Sequence, residues 1–169
     1  QRNFFMTSSC GVCGKASLDA VRSRSDYSLT DNAFQVSPGV LQELPTQLMA
    51  GQELFAGTGS IHAAALFDGK GLVGQVYEDV GRHNALDKLV GAAFRDAALP
   101  FANLGIVVSG RASFELVQKA CMAGSPMLAA VGAPSSLAVE LAWESGMTLV
   151  GFMRDERFNV YSSPVRVSE

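Results

Sequence analysis

The sequence has no long hydrophobic run, although 48% of its 169 residues are hydrophobic. Glycine and charged residues break the apolar residues into short runs, whereas a helix that crosses a bilayer needs about 20 consecutive apolar residues. The first residues also lack the pattern of a signal peptide. We therefore expect a soluble, cytoplasmic protein with no membrane partner and one well-buried core.

An excess of positive charge is absent as well. Thirteen Lys and Arg residues stand against sixteen Asp and Glu residues, so the formal net charge is −3. Because proteins that bind nucleic acid depend on clustered Lys and Arg residues, we expect no nucleic-acid partner. The basic residues are unevenly placed, since residues 1–24 contain four of them and a single acidic residue.

Cysteine and histidine are scarce, at three and two residues, and this limits metal chemistry. Cys10 and Cys13 form a Cys-x-x-Cys motif in the segment TSSCGVCG. A structural zinc ion needs four ligands, and only Cys121, His62 and His83 remain, none in paired ligand spacing. We predict no metal site, although a zinc site shared between subunits stays an alternative. Cys121 is predicted to be a core thiol, and His62 a buried, hydrogen-bonded histidine.

Two other interpretations of the Cys-x-x-Cys motif stay open at this point. A thioredoxin-like redox centre needs a strand before the motif and a helix directly after it, and the flanking residues favour this only weakly. A sulfur carrier needs a thiolate near cations that accepts sulfur as a persulfide, and the basic residues of segment 1–24 supply such cations. An odd cysteine count with one Cys-x-x-Cys pair suits a reducing compartment.

The segment Glu78–Gly91, EDVGRHNALDKLVG, contains more polar residues than the start of a helix requires. A helix N-terminus presents unpaired N–H groups and partial positive charge. We therefore predict that the stretch from Gly81 to Asn84 binds a phosphate or carboxylate, with Arg82 and His83 in contact with it. The alternative is a solvated helix start with local ion pairs.

Hydrophobic periodicity predicts an α/β protein. Ser37-Pro38 begins a helical region that Pro45 is predicted to split into two short helices. Two apolar runs joined by Asp68-Gly69 predict a β-hairpin. Helices are then predicted over 82–97, 112–123 and 135–144, alternating with strands over 104–109, 127–131 and 147–152. The pattern predicts a three-layer α/β/α sandwich in which a hairpin is followed by mostly parallel strands.

Polar residues collect where strands and helices meet, at Glu78–Asn84, Ser109–Ser113 and Gly132–Ser136. Ligands of open α/β sheets bind at such junctions. With Arg82 and Arg111 beside glycines and hydroxyl groups, we predict a cradle for a polyphosphate or a charged cofactor.

A charged turn follows the last of these strands. The segment from Phe152 to Arg157, FMRDER, precedes a further apolar stretch, and a loop of this kind can close over a bound ligand. The alternative is that this segment forms the solvent-exposed tip of a β-hairpin and binds no ligand.

Together the motifs TSSCGVCG, TGSIHAAAL, EDVGRHNALDKLVG, SGRASFELVQKA and TLVGFMRDERFNVYSSPVRV resemble the formate dehydrogenase accessory sulfurtransferase family, FdhD. The resemblance implies that Cys10 and Cys13 are the catalytic, sulfur-handling pair, with Cys10 favoured as the persulfide carrier. It also implies a cytidine-deaminase-like α/β/α fold and a homodimer. The resemblance assigns cofactor binding to a segment of six residues, Phe152, Met153, Arg154, Asp155, Glu156 and Arg157. The polar junctions described above add Arg82, His83 and Arg111 as predicted cofactor-binding residues.

The resemblance further implies a reaction and its partners. Sulfur would pass from a cysteine desulfurase to the molybdenum or tungsten bis-pterin guanine dinucleotide cofactor, which is cargo for the formate dehydrogenase catalytic subunit. Guanosine diphosphate (GDP) would act as a mimic of that cofactor. The alternative is a chaperone without chemistry that only presents the cofactor.

Comparison with zinc deaminases favours anion binding over metal hydrolysis. Those enzymes need His-x-Glu at one helix start and Pro-Cys-x-x-Cys at the next. Here the two places read His83-Asn84-Ala85 and Gly110-Arg111-Ala112-Ser113, so the acid and both thiols are missing.

We divide the chain into a cysteine-bearing segment, residues 1–36, and a single α/β cofactor-binding domain, residues 37–169. The chain begins at Gln1 rather than Met, and members of the resembled family carry an additional portion before the cysteine motif. We therefore expect the native N-terminal portion to be missing.

Overall fold

The computed structural model describes residues 25–154 and 156–168. Cys10, Cys13 and Asp155 lie outside the described residues, as does most of the predicted segment 1–36. The domain division therefore stays a prediction.

Five α-helices and six strands make up the described part of the chain. The helices are α1 (Pro38–Ala50), α2 (Glu53–Thr58), α3 (Arg82–Arg95), α4 (Phe114–Met122) and α5 (Ser136–Ser145). The strands are β1 (His62–Asp68), β2 (Gly71–Asp79), β3 (Gly105–Val108), β4 (Met127–Ala130), β5 (Thr148–Arg154) and β6 (Arg157–Ser162). None of the helices in the described ranges is long and apolar enough to cross a membrane.

The strands form one mixed sheet in the order β2-β1-β3-β4-β5-β6. β3, β4 and β5 are parallel, as the sequence predicts, because α4 and α5 provide the crossovers that parallel neighbours need. β1 runs antiparallel to both β2 and β3, and β6 turns back antiparallel to β5. The last strand departs from a parallel arrangement because the turn before Arg157 is too short for a crossover.

Alternate residues of the central strands face two separate cores. Leu41, Leu44 and Leu48 of α1 pack on one face of the sheet, while the apolar sides of α3, α4 and α5 pack on the other. In β3, for example, Val107 lies in the first core and Ile106 in the second. The structure is therefore an α/β protein with helices on both faces of the sheet. The relation to cytidine deaminases stays a prediction.

The prediction that Pro45 divides the first helix was wrong. Helix α1 runs from Pro38 through Pro45 to Ala50, and the second helix begins only at Glu53. A proline inside a helix removes one hydrogen bond and costs about 3 kcal/mol. The buried leucines on either side of it offset that cost, since each contributes about 2 kcal/mol on burial.

Candidate functional site

The three polar junctions lie side by side at one edge of the sheet. The amide of Gly132 donates to the carbonyl of Gly110 at 3.0 Å, and the amide of Ser135 donates to the carbonyl of Ala112 at 3.0 Å. The junction at the start of α3 joins them through His83 Nε2 and Ser113 Oγ, which are 3.0 Å apart. Residues from three separate parts of the sequence therefore share one surface.

Two glycines allow this close approach. A Cβ atom on Gly110 would lie 3.1 Å from His62 Nδ1 and 3.7 Å from Arg82 Cβ. A Cβ atom on Gly132 would lie 3.0 Å from the Cα and backbone N of Arg111. The glycines thus bring Arg82 and Arg111 to neighbouring junctions along the sheet edge.

Arg82 and Arg111 both lack a carboxylate partner among the residues that the structure describes. Within residues 25–154 and 156–168, neither Arg82 nor Arg111 forms an ion pair. Arg82 Nε is buried without a hydrogen-bond partner among these residues, and Arg111 is exposed. A buried guanidinium N–H without a partner is costly. Arg82 at the N-terminus of α3, with Arg111 at the neighbouring junction, therefore favours an anionic ligand.

Some polar residues of the segment EDVGRHNALDKLVG stabilise the loop before α3 and are not available to a ligand. Asp79 accepts hydrogen bonds from the amide of Gly81 at 2.9 Å and from Asn84 Nδ2 at 3.1 Å. Its carboxylate also lies 2.7 Å from Lys88 Nζ. The Lys88 hydrogen bond, followed by those of Gly81 and Asn84, lowers the pKa of Asp79 to about 2. The predicted local ion pair therefore occurs in this segment, on residues other than Arg82 and His83, for which anion binding stays a prediction.

His83 lies between the arginine site and a buried carboxylate. Its Nε2 atom is 3.9 Å from Glu115 Oε2, and both oxygens of Glu115 are buried without a hydrogen-bond partner among the described residues. Burial lowers the pKa of His83, Arg82 lowers it further, and Glu115 acts in the opposite direction. The unprotonated imidazole is therefore favoured in the free protein.

The segment Phe152–Arg157 adjoins the third junction. The amide of Phe152 donates to the carbonyl of Gly132 at 3.1 Å, and Phe152 has a positive φ of 54°, which is unusual for an aromatic residue. The guanidinium of Arg154 lies 5.9 Å from the centre of the Phe152 ring. A shallow cavity of about 330 Å³ lies here. Its lining residues are Phe152, Arg154, Arg157, Phe158 and Asn159.

Other residues of this segment contribute less surface to that cavity. Met153 is 1% exposed and belongs to the core against α1. The carbonyl of Glu156 accepts a hydrogen bond from Gln42 Nε2 at 2.8 Å, which ties the hairpin tip to α1. The segment therefore combines an exposed cationic and aromatic face with an anchored backbone.

Comparison with known proteins decides the family. Residues 1–168 match the sequence profile of the FdhD/NarQ family. The chain belongs to the FdhD/NarQ family.

FdhD/NarQ relatives resemble the chain over nearly its whole length. It is 57% identical over 169 residues to the sulfur carrier protein FdhD of Streptomyces coelicolor, covering 99% of this chain and 60% of that protein. It is 53% identical over 167 residues to FdhD of Mycobacterium tuberculosis, covering 99% of this chain and again 60% of the relative. The chain thus spans about 60% of the length of these curated relatives.

A solved structure supports the same FdhD/NarQ fold. The crystal structure of a candidate formate dehydrogenase accessory protein from Desulfotalea psychrophila matches with a TM-score of 0.72 at 31% sequence identity. The match covers 80% of this chain and 57% of that chain.

The structure of this FdhD/NarQ chain also tests the predictions made for Cys121 and His62. Cys121 is a buried free thiol, as predicted, and burial raises its pKa. His62 was predicted to be buried and hydrogen-bonded, but it is only partly buried and its side chain forms no hydrogen bond to another described residue. It lies at the sheet edge, where the close approach of Gly110 leaves its ring beside the junctions. No group of three His, Cys, Asp or Glu side chains in the described part of the chain could hold a metal ion.

The sequence did not predict the contacts of three polar residues of this FdhD/NarQ chain. Glu78 caps α2, since its carboxylate accepts from the amides of Leu54 at 2.9 Å and Phe55 at 3.0 Å. Glu115 Oε2 lies 3.9 Å from His83 Nε2, and Gln52, directly before α2, is buried. Helical spacing could have placed Glu115 in the first turn of α4, but no sequence signal identifies the partners of Glu78 or Gln52.

Proposed function

We propose that this chain takes persulfide sulfur from a cysteine desulfurase and transfers it to a molybdenum or tungsten bis-pterin guanine dinucleotide cofactor for formate dehydrogenase. Family membership and the similarity to relatives named sulfur carrier protein FdhD support the sulfur-carrying role. The observation that carries the cofactor-binding role is Arg82 at the start of α3, whose Nε is buried without a hydrogen-bond partner among the described residues, with Arg111 exposed at the neighbouring junction.

The described residues supply binding and orientation. Arg82 and Arg111, with the free amides at the start of α3, would hold one diphosphate group of the cargo. Arg154 and Arg157 would hold a second diphosphate, with the Phe152 ring available for stacking. His83 would donate a hydrogen bond to a phosphate oxygen. We further propose a homodimer with a cytidine-deaminase-like fold.

The thiol chemistry belongs to Cys10 and Cys13. The Cys10 thiolate attacks the terminal sulfur of the donor persulfide, so that a new S–S bond forms on Cys10 and the donor cysteine leaves as a thiolate. The Cys13 thiolate then attacks the Cys10 sulfur, which forms a Cys10–Cys13 disulfide and releases the carried sulfur as sulfide to the metal. A dithiol reductant restores the pair.

A second candidate is a chaperone that binds and presents the cofactor without chemistry, for which an anion site would be sufficient. The single cysteine among the described residues, Cys121, is buried, and its raised pKa disfavours the thiolate. The anion site at the sheet edge thus requires no nucleophile of its own for binding.

Mass spectrometry separates the two functions. After incubation with a cysteine desulfurase and cysteine, the peptide containing CGVCG should gain one sulfur atom, and Cys10→Ala should abolish that gain. Cys121→Ala serves as the matched control and should leave it intact. An unmodified peptide, together with full formate dehydrogenase maturation by the Cys10→Ala, Cys13→Ala double variant, would favour the chaperone.

A further inference from the structure

His83 lies beside a cationic and an anionic side chain, Arg82 and Glu115. Its Nε2 atom is 3.0 Å from Ser113 Oγ and 3.9 Å from Glu115 Oε2, and Arg82 precedes it in the first turn of α3. Both carboxylate oxygens of Glu115 and the Nε atom of Arg82 are buried without a hydrogen-bond partner among residues 25–154 and 156–168. The imidazole is therefore the titratable group on which both of these charges act.

Arg82 and Glu115 act on the imidazole in opposite directions. Burial lowers the pKa of His83 most, Arg82 lowers it further, and Glu115 raises it. Among the described residues, Lys119 and Asp87 also act on it with opposite signs, and they pair with each other at 2.6 Å. Because the effects of that pair oppose each other, the balance between Arg82 and Glu115 is the part that a bound charge can change.

An anion bound to Arg82 changes this balance. Its negative charge offsets the positive charge of the guanidinium, and the effect of Glu115 on the imidazole is then opposed mainly by burial. Since an unpaired buried carboxylate is costly, a protonated imidazole beside Glu115 is stabilised. An imidazolium donates from both ring nitrogens, so Nε2–H donates towards Ser113 and Glu115 while Nδ1–H remains a second donor.

We propose that His83 takes up one proton from solvent when an anion binds at Arg82, and that Glu115 stabilises the imidazolium so formed. Linkage is reciprocal, so the protonated protein must bind the anion more tightly by the same factor. Binding of an anionic cargo therefore strengthens as the pH falls through the range in which His83 titrates, and loss of the proton favours release. The inference rests on the proposed function, since it requires anion binding at Arg82.

Nuclear magnetic resonance titration of the His83 imidazole tests the proposal directly. Sulfate is the probe, because it stays doubly charged between about pH 5 and pH 8, where histidine titrates, and sodium chloride keeps the ionic strength constant. We expect saturating sulfate to raise the proton-binding constant of His83 about fivefold, which is the effect of one charge pair at a partly exposed site.

Two substitutions separate the effects of the neighbouring charges. Arg82→Gln removes the positive charge, so it should raise the His83 midpoint without sulfate and abolish the further increase with sulfate. Glu115→Gln should lower the midpoint and keep an increase with sulfate. Arg95→Gln, an exposed arginine in the last turn of α3, is the matched control for Arg82→Gln and should change neither the midpoint nor its response to sulfate.

Calorimetry supplies an independent count of protons. Sulfate is titrated into the purified protein at about pH 6, near the ordinary pKa of histidine, in two buffers of different ionisation enthalpy. The difference in measured heat gives the number of protons taken up for each sulfate bound. His83→Asn keeps a hydrogen-bond donor and cannot titrate, so its proton uptake should be smaller. His62→Asn is the matched control and should retain the uptake.

The outcomes separate this inference from the proposed function. If sulfate binds without raising the His83 midpoint, or if His62→Asn abolishes the proton uptake and His83→Asn does not, the role of His83 is overturned while the anion site stands. A midpoint that stays in place in Arg82→Gln without sulfate would overturn it too, because Arg82 would then have no effect on the imidazole. If the folded protein binds neither sulfate nor pyrophosphate, both this inference and the cofactor-binding part of the proposed function are overturned.

Discussion

The contact between Glu115 and His83 permits a quantitative test of the site's electrostatics. Glu115→Gln keeps the shape of the side chain and removes its negative charge. Because Glu115 raises the pKa of His83 against the opposing effects of burial and Arg82, we expect the pKa of His83 to fall further in this variant. Lys119 and Asp87 also face the imidazole with opposite charges, and they pair with each other at 2.6 Å.

The size of the effect follows from the 3.9 Å separation of Nε2 and Oε2. Two unit charges about 4 Å apart interact by about 4 kcal/mol at an effective dielectric constant of about 20. The His83 side chain is 33% exposed, and solvent screening at such a partly exposed pair leaves about 1 kcal/mol. The proton-binding constant of His83 should therefore fall about fivefold.

Nuclear magnetic resonance titration of the imidazole C–H signals measures this directly. The sequence contains two histidines, so the His62→Asn variant assigns both signals. Glu43→Gln, exposed on α1, is the control and should leave the His83 midpoint in place. An unchanged or higher midpoint in Glu115→Gln would show that the carboxylate does not face His83 as a negative charge.

The same substitution alters the pH dependence of stability in a defined direction. Since the folded-state pKa of His83 lies below its ordinary 6.5, the unfolded chain binds more protons in this range. Stability is therefore complete above pH 6.5 and is lost as the pH falls through the folded-state pKa. Glu115→Gln should extend that loss to lower pH in urea unfolding curves.

Three further predictions concern the framework of the site. The Lys88 hydrogen bond is the largest cause that lowers the pKa of Asp79 from 3.8 to about 2, so the stability that this carboxylate supplies should be lost as the pH falls through that interval. In Asp79→Asn the denaturant midpoint should therefore change less with pH between pH 5 and pH 2. Gly132→Ala should weaken pyrophosphate binding several-fold in calorimetry, because its Cβ would lie 3.0 Å from the Arg111 backbone. Gly57→Ala, with no atom within 4 Å of its Cβ, is the control and should bind pyrophosphate like the unchanged protein. Unchanged binding by Gly132→Ala would refute the close approach. Pro45→Ala should raise the free energy of unfolding by about 1–2 kcal/mol, since it restores a helical hydrogen bond at some cost in unfolded-state entropy, and a decrease in denaturant midpoint would contradict this.

Several features depend on neighbours in the sequence and were therefore predictable without the structure. The hairpin predicted at Asp68-Gly69 joins β1 and β2 through a turn at Gly69 and Lys70, and Ser37 accepts a hydrogen bond from the Val40 amide at the start of α1. Both arise from side-chain and backbone preferences over a few residues. The polar junctions were predictable for the same reason, because glycine and polar residues occur where strands end and helices begin.

Other features depend on contacts between distant residues, and only the tertiary structure decided them. The continuity of α1 through Pro45 rests on leucines packed against the sheet, and Glu78 caps a helix that begins 25 residues earlier in the sequence. The sequence by itself determined the family, the sheet elements and the arginine-bearing junctions. The fold decided which buried atoms lack a hydrogen-bond partner among the described residues, as Gln52 Nε2, Arg82 Nε and the Glu115 oxygens do, because burial depends on the sum of all packed neighbours and not on any local pattern.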